Sequence, residues 1–110
     1  MPIQLTSSVT IPGEVGNPYT HVRVKSLQVD IDGSALQFNV AYGKYNNSVW
    51  EWTTRLPPTP FILLDNDAGP AFTNFVSSHV TNTNELTYDA VARGIYEWLL
   101  DNNKYVGTLV

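Results

Sequence analysis

The residues best suited to chemistry in this chain lie in the run Leu63-Leu64-Asp65-Asn66-Asp67-Ala68-Gly69. Two apolar residues before an aspartate resemble the approach to an aspartic-protease loop, and a chain of 110 residues suits a dimeric protease. That chemistry needs Asp-Thr/Ser-Gly, because the hydroxyl and the glycine amide hold the carboxylate pair. Here Asn66 and Asp67 follow Asp65. The same run resembles the opening of a calcium loop. An EF-hand requires glycine at its sixth position and a bidentate glutamate at its twelfth, whereas Gly69 falls at the fifth and Val76 at the twelfth. A solvated turn is the expectation for this segment, with Asp65 and Asp67 the best acid–base candidates if the chain were an enzyme.

The other reactive side chains are sparse. His21 and His79 are the only histidines, and they stand too far apart in sequence to form a His-x-x-x-His metal pair. There is no cysteine, so thiol nucleophiles, disulfides and zinc ribbons are excluded. No Gly-x-Ser-x-Gly elbow is present. Asp30 and Asp32 flank a turn, a poor place for a catalytic pocket. Asn46-Asn47-Ser48 matches a glycosylation acceptor but reads as a turn. The expectation is a non-enzymatic chain with no metal and no cofactor.

Aromatic residues offer a second kind of chemistry. Trp50 and Trp52 share one face of a strand, and with Tyr42 and Tyr45 on the preceding strand they suggest a platform for stacking on sugar rings. Stacking of that kind needs exposed, coplanar rings. The commoner fate of such rings is burial beneath a helix, and core is the expectation. A carbohydrate-binding module using Tyr42, Trp50 and Trp52 is the alternative.

Positioning these residues falls to a sheet and a helix. Over Thr87–Asn102, Tyr88, Val91, Ile95, Trp98 and Leu99 recur at three- and four-residue steps, which predicts one amphipathic helix. Asp89, Arg93, Glu97 and Asp101 follow the i,i+4 rule on its wet side. Thr87 is the expected N-cap, Leu86 and Val91 a hydrophobic staple, and Asn102-Asn103 the C-terminal stop. Before it the period is two. Met1–Ile11 reads as an extended arm or edge strand ended by Pro12-Gly13, with residues 1–18 as a unit. Tyr19–Ile31 alternates, but the step from Val24 to Leu27 breaks the period and predicts a bulge at Lys25-Ser26. Asp32-Gly33 signals a hairpin. Leu36, Phe38, Val40 and Tyr42 then alternate as a half-buried strand. Asn46-Asn47 predicts a second turn, and Val49–Leu56 a third strand stopped by Pro57-Pro58-Thr59-Pro60. Phe61–Leu64 reads as a short strand. Phe72, Phe75, Val76 and His79 have helical spacing, weakened by Thr73, Ser77 and Ser78, and the tail Lys104–Val110 offers a last strand. The class is α+β: one domain with a mostly antiparallel sheet, meander- or sandwich-like, and a C-terminal amphipathic helix packed on it.

Composition narrows the partners. Charged residues are 15% of the chain, against about 25% for an average soluble protein. The net charge of −4, with only Arg23 and Lys25 close together among the basic residues, argues against a nucleic-acid binder. No apolar run reaches a membrane span, and no basic, apolar leader opens the chain, so a soluble protein without an export signal is expected.

Two segments carry a family resemblance. Pro2-Ile3-Gln4-Leu5-Thr6, Val9-Thr10-Ile11-Pro12 and Tyr19-Thr20-His21-Val22-Arg23-Val24 resemble the start of small tailed-phage and prophage structural proteins. Thr87-Tyr88-Asp89-Ala90-Val91 through Ile95-Tyr96-Glu97-Trp98-Leu99-Leu100 resembles the helix that ends such proteins. The resemblance covers about half of the chain. It implies a non-enzymatic component of the virion, in tail, baseplate or capsid, made in the host cytoplasm. Its partners would be other virion proteins and further copies of itself, with neither nucleic acid nor membrane.

Overall fold

A computed structural model of the chain describes residues 2–10, 12–13, 16, 18–30, 32–79 and 88–110, with the backbone alone at 88–90. The sheet is built around strand β3 (Ala35–Asn46), whose Leu36, Phe38 and Val40 are each 1% exposed. One edge of β3 is taken along most of its length by β2 (Tyr19–Asp30). Its other edge is shared: β5 (Thr59–Asn66) pairs with Ala35–Val40, and β4 (Val49–Trp52) with Gly43–Asn46. The Thr53 N–H donates to the Tyr42 carbonyl at 2.9 Å and closes the join between them.

Local chemistry sets the turns. Asn47 and Ser48 both have positive φ, 51° and 66°, as a two-residue primed turn requires. The turn therefore lies one residue beyond the Asn46-Asn47 expected from sequence. Asp32-Gly33 does mark a hairpin, but the left-handed residue is Ser34, at φ 48°. A four-residue loop separates the pair Asp30↔Ala35, and the Gly33 N–H donates to Asp30 Oδ1 at 2.9 Å. The predicted bulge is present: Val24 pairs with Val40 and Ser26 with Asn39, leaving Lys25 as the extra residue. It exchanges the faces of β2, so that Val22 and Val24 point to the core before it and Leu27 after it.

The N-terminal segment forms β1 (Ile3–Val9), which pairs with β2 on one side and with β7 (Gly107–Leu109) on the other. The edge-strand expectation for residues 1–18 is corrected here, since the tail supplies the edge and β1 is internal. Ile3 is accordingly fully buried. The close approach requires Gly107, where a Cβ would overlap the Gln4 carbonyl. The strand order is β6-β5-β3-β2-β1-β7, with β6 (Gly69–Pro70) pairing with β5.

Helix α1 (Ala71–His79) and helix α2 (Tyr88–Asp101) cover one face of the sheet. Ile95 and Leu99 of α2 are 0% exposed, and Val91, Ala92 and Tyr96 are buried beside them. Trp98 meets Phe38 and Phe61 edge-on at 6.0 and 6.1 Å between ring centroids. The Tyr96 hydroxyl accepts the Val24 N–H at 2.9 Å, a polar tie between helix and sheet inside the core. On the wet side Arg93 Nε is 3.5 Å from Glu97 Oε1. The helix ends in a Schellman motif: Asn103 has φ 54° and donates to Leu100, while the Lys104 N–H reaches the Leu99 carbonyl at 2.9 Å. The expected cap at Thr87, the Leu86 half of the staple and the Asp89 side chain lie outside the described residues. The class is α+β, with the C-terminal helix packed on a curled antiparallel sheet.

Candidate functional site

The face of the sheet turned away from the helices gathers the aromatic and basic residues. Cross-strand partners share a face, so the pairs His21↔Gly43 and Arg23↔Ala41 place His21 and Arg23 with two small residues of β3. The pairs Tyr45↔Trp50 and Gly43↔Trp52 bring in the two indoles. Gly43 is what lets Trp50 lie down: a Cβ there would overlap the six-membered ring of the indole. The bulge at Lys25 turns its side chain the same way, and its Nζ stands 5.4 Å from the Trp52 ring centroid.

The result is a contiguous cluster. Trp50 and Trp52 are 5.2 Å apart at 86°, Tyr45 and Trp50 5.1 Å at 70°, and His21 and Tyr45 5.3 Å at 89°. The Arg23 guanidinium carbon lies 5.3 Å over Trp50. Among the described residues no carboxylate lies within salt-bridge distance of Arg23 or Lys25. The indoles do not neutralise these cations; each cation–π contact is worth about 0.5–1 kcal/mol at an exposed site. The Trp50 Nε1–H is covered and has no acceptor among the described residues. Partial burial lowers the His21 pKa, so near neutral pH the imidazole is uncharged and shares a hydrogen bond with Thr20 Oγ1 at 2.7 Å. The positive charge of the face is therefore that of Arg23 and Lys25.

The structure separates the three aromatic candidates. Trp50 and Trp52 belong to this open face and not to the core under the helix, which corrects the core expectation. Tyr42 lies on the opposite, helix-bearing face, half-buried against the core with Tyr105 edge-on at 6.0 Å. Burial, with Tyr42 beside it, raises the Tyr105 pKa. Three residues apart on one strand, Tyr42 and Tyr45 cannot share a face.

The carboxylate candidates have structural work. Asp65 Oδ1 accepts the Thr73 N–H at 3.0 Å and Oδ2 accepts the Thr73 hydroxyl, so the side chain anchors the first turn of α1. Those bonds hold its carboxyl below the ordinary 3.8. Asp67 occupies the two-residue turn between β5 and β6, where Asn66 Oδ1 accepts the Ala68 N–H at 2.9 Å. His79 stacks on Phe75 at 5.8 Å and faces Glu97 and Asp101 at 4.0 and 3.8 Å, far from His21 in the fold. Among the described residues no three His, Cys, Asp or Glu side chains gather to hold a metal.

Sequence reading grouped Tyr45 with the tryptophans but overlooked His21, Arg23 and Lys25 as their companions. The signal was available: counting back from the Asp-Gly hairpin through one bulged residue puts Arg23 opposite Ala41. Comparison of the chain with protein-family models, with curated proteins and with solved structures found no match.

Proposed function

We propose that this chain is a non-enzymatic structural subunit of a tailed-phage particle, made in the host cytoplasm and acting through protein–protein assembly. The observation that carries the reading is the open sheet face. An antiparallel sheet with one solvated face ordinarily lines it with polar side chains. This one presents Trp50, Trp52, Tyr45 at 47% exposure and, further along β5, Ile62 at 55%. Together with Arg23 and Lys25, that mixture of aromatic residues and arginine is the composition of an interface core. The low overall charge and the resemblance at both ends of the chain agree with it. The glycan alternative fares worse, because rings at 86° to one another offer no common plane to a sugar, and Tyr42 is on the other side.

Mass spectrometry of purified particles tests the proposal. The chain is expected in them at a fixed stoichiometry to a major virion protein. Absence from particles, with the free chain abundant in the host lysate, would overturn it.

A further inference from the structure

The two ends of the sheet carry opposite charge. At one end the β2–β3 turn holds Asp30 and Asp32, and the β5–β6 turn holds Asp65 and Asp67. The two turns are neighbours, since the Asp65 N–H donates to the Ser34 carbonyl at 3.2 Å. Asp32 and Asp67 are exposed, and Asp65 keeps its charge while it anchors α1. The cluster of Arg23, Lys25, Trp50 and Trp52 lies towards the other end: Arg23 is opposite Ala41, six residues along β3 from the acidic turns, or about 20 Å at strand rise. The one acid of β4, Glu51, pairs in register with Lys44 on the other face and accepts from Asn46 at 3.2 Å. No described carboxylate serves Arg23 or Lys25 within the chain.

We infer that this face is the docking site for a second copy of the chain, whose acidic turns at Asp32 and Asp67 seat against Arg23, Lys25 and the two indoles. The inference rests on the structural-subunit reading and adds its geometry. The contact is heterologous: each copy offers an acidic end and accepts one on its basic, aromatic face. Such contacts generate rings when the rotation closes and filaments when it does not. Charge complementarity selects the occupant. In a chain of net charge −4, two cations are too few to hold a phosphate polymer against that background, whereas they match the two exposed aspartates of a neighbour. The tryptophans supply the desolvated surround that makes such pairs count.

Sedimentation velocity of the full chain over a concentration series tests this, in low salt and in about 0.5 M salt, where screening is nearly complete within a few ångströms. The wild type is expected to associate at low salt and to retreat towards monomer at high salt. Arg23→Glu with Lys25→Glu, and separately Asp32→Lys with Asp67→Lys, should each weaken association at least about tenfold, as reversed charge at a close pair does. An equimolar mixture of the two charge-reversed chains should associate again, because the acidic turns kept by the first meet the basic face kept by the second, and the acidic face of the first meets the basic turns of the second. Thermal melts establish that each variant is folded, and Arg23→Gln with Lys25→Gln replaces the first pair if it is not. A wild type that stays monomeric, an association unmoved by either pair, or a mixture that stays monomeric overturns the inference. So does a monomer that binds heparin or a single-stranded oligonucleotide through Arg23 and Lys25, which would assign the face to a polyanion. A monomeric chain found in particles would overturn the head-to-tail contact and leave the virion reading standing.

Discussion

Replacing Ile95 by alanine tests whether α2 is the element on which the domain closes. Ile95 is 0% exposed and belongs to the same buried cluster as Ile3, Val22, Phe38 and Leu99. Removing its outer carbons loses their transfer free energy and leaves a cavity that close-packed strands cannot collapse to fill. The expected loss is about 2–5 kcal/mol, out of the roughly 5–15 kcal/mol that holds a domain of this size. At an m-value of about 1–3 kcal/mol per M in urea, a loss of 3 kcal/mol moves the midpoint by roughly 1–3 M. Arg93 is the matched control, two residues away on the opposite side of the same helix. Its side chain is 64% exposed and pairs with Glu97 at 3.5 Å, so Arg93→Ala should cost a few tenths of a kcal/mol, about the worth of an exposed i,i+4 pair. Urea melts followed by far-UV circular dichroism separate the two. Comparable losses for both variants, or a greater loss for Arg93→Ala, would refute the assignment of the faces and place a buried contact on the charged stripe.

Tyr96→Phe leaves the Val24 N–H without its acceptor inside the core, and should cost about 1–3 kcal/mol in the same melts; an unchanged midpoint would mean that the tie is dispensable. Gly94→Ala should destabilise despite the better helix propensity of alanine, because the added methyl would stand 2.9 Å from the His79 carbonyl oxygen of α1, and backbone cannot yield; a gain in stability would show that the helices part easily. Gly43→Val should drive the Trp50 indole off β3 and redden its emission with little loss of helix, and emission like that of the wild type would contradict the packing described. Asp65 has a folded pKa below its unfolded one, so its contribution is present above the unfolded value of 3.8 and is lost as pH falls through the lower folded value. The acid limb of a stability–pH profile should therefore be shallower in Asp65→Asn, and identical limbs would deny the carboxylate its anchoring role.

Much of the fold was legible because its signals were local. The four-residue steps of Val91, Ile95 and Leu99 name the buried side of α2, and the Asn102-Asn103 stop appears as a Schellman motif. The broken period after Val24 narrows the bulge to Lys25-Ser26, of which Lys25 is the extra residue. What the sequence leaves open is non-local. Nothing in Ile3–Val9 announces that a strand from the far end of the chain will pair on its outer side and make it internal. Periodicity groups side chains by face, but which face the helices will cover depends on the summed apolar area of every strand. Leu36, Phe38, Val40 and their cross-strand partners outweigh Ala41, Gly43 and the indoles, and so Trp50 and Trp52 are left outside. The separation of Tyr42 from Tyr45 was legible, since three residues on one strand always change face. The cations needed register: only the pairing of β2 with β3 brings Arg23 and Lys25 over the rings.

The most direct test of an interface on the open sheet face is hydroxyl-radical footprinting of Tyr45, Trp50 and Trp52, read by mass spectrometry on the free chain and on purified particles. The chain is expected in the particles, with oxidation of these three residues suppressed relative to the free chain and that of exposed residues on α2 unchanged. A chain found in particles with the three rings as reactive as in solution, or not found there at all, would contradict it.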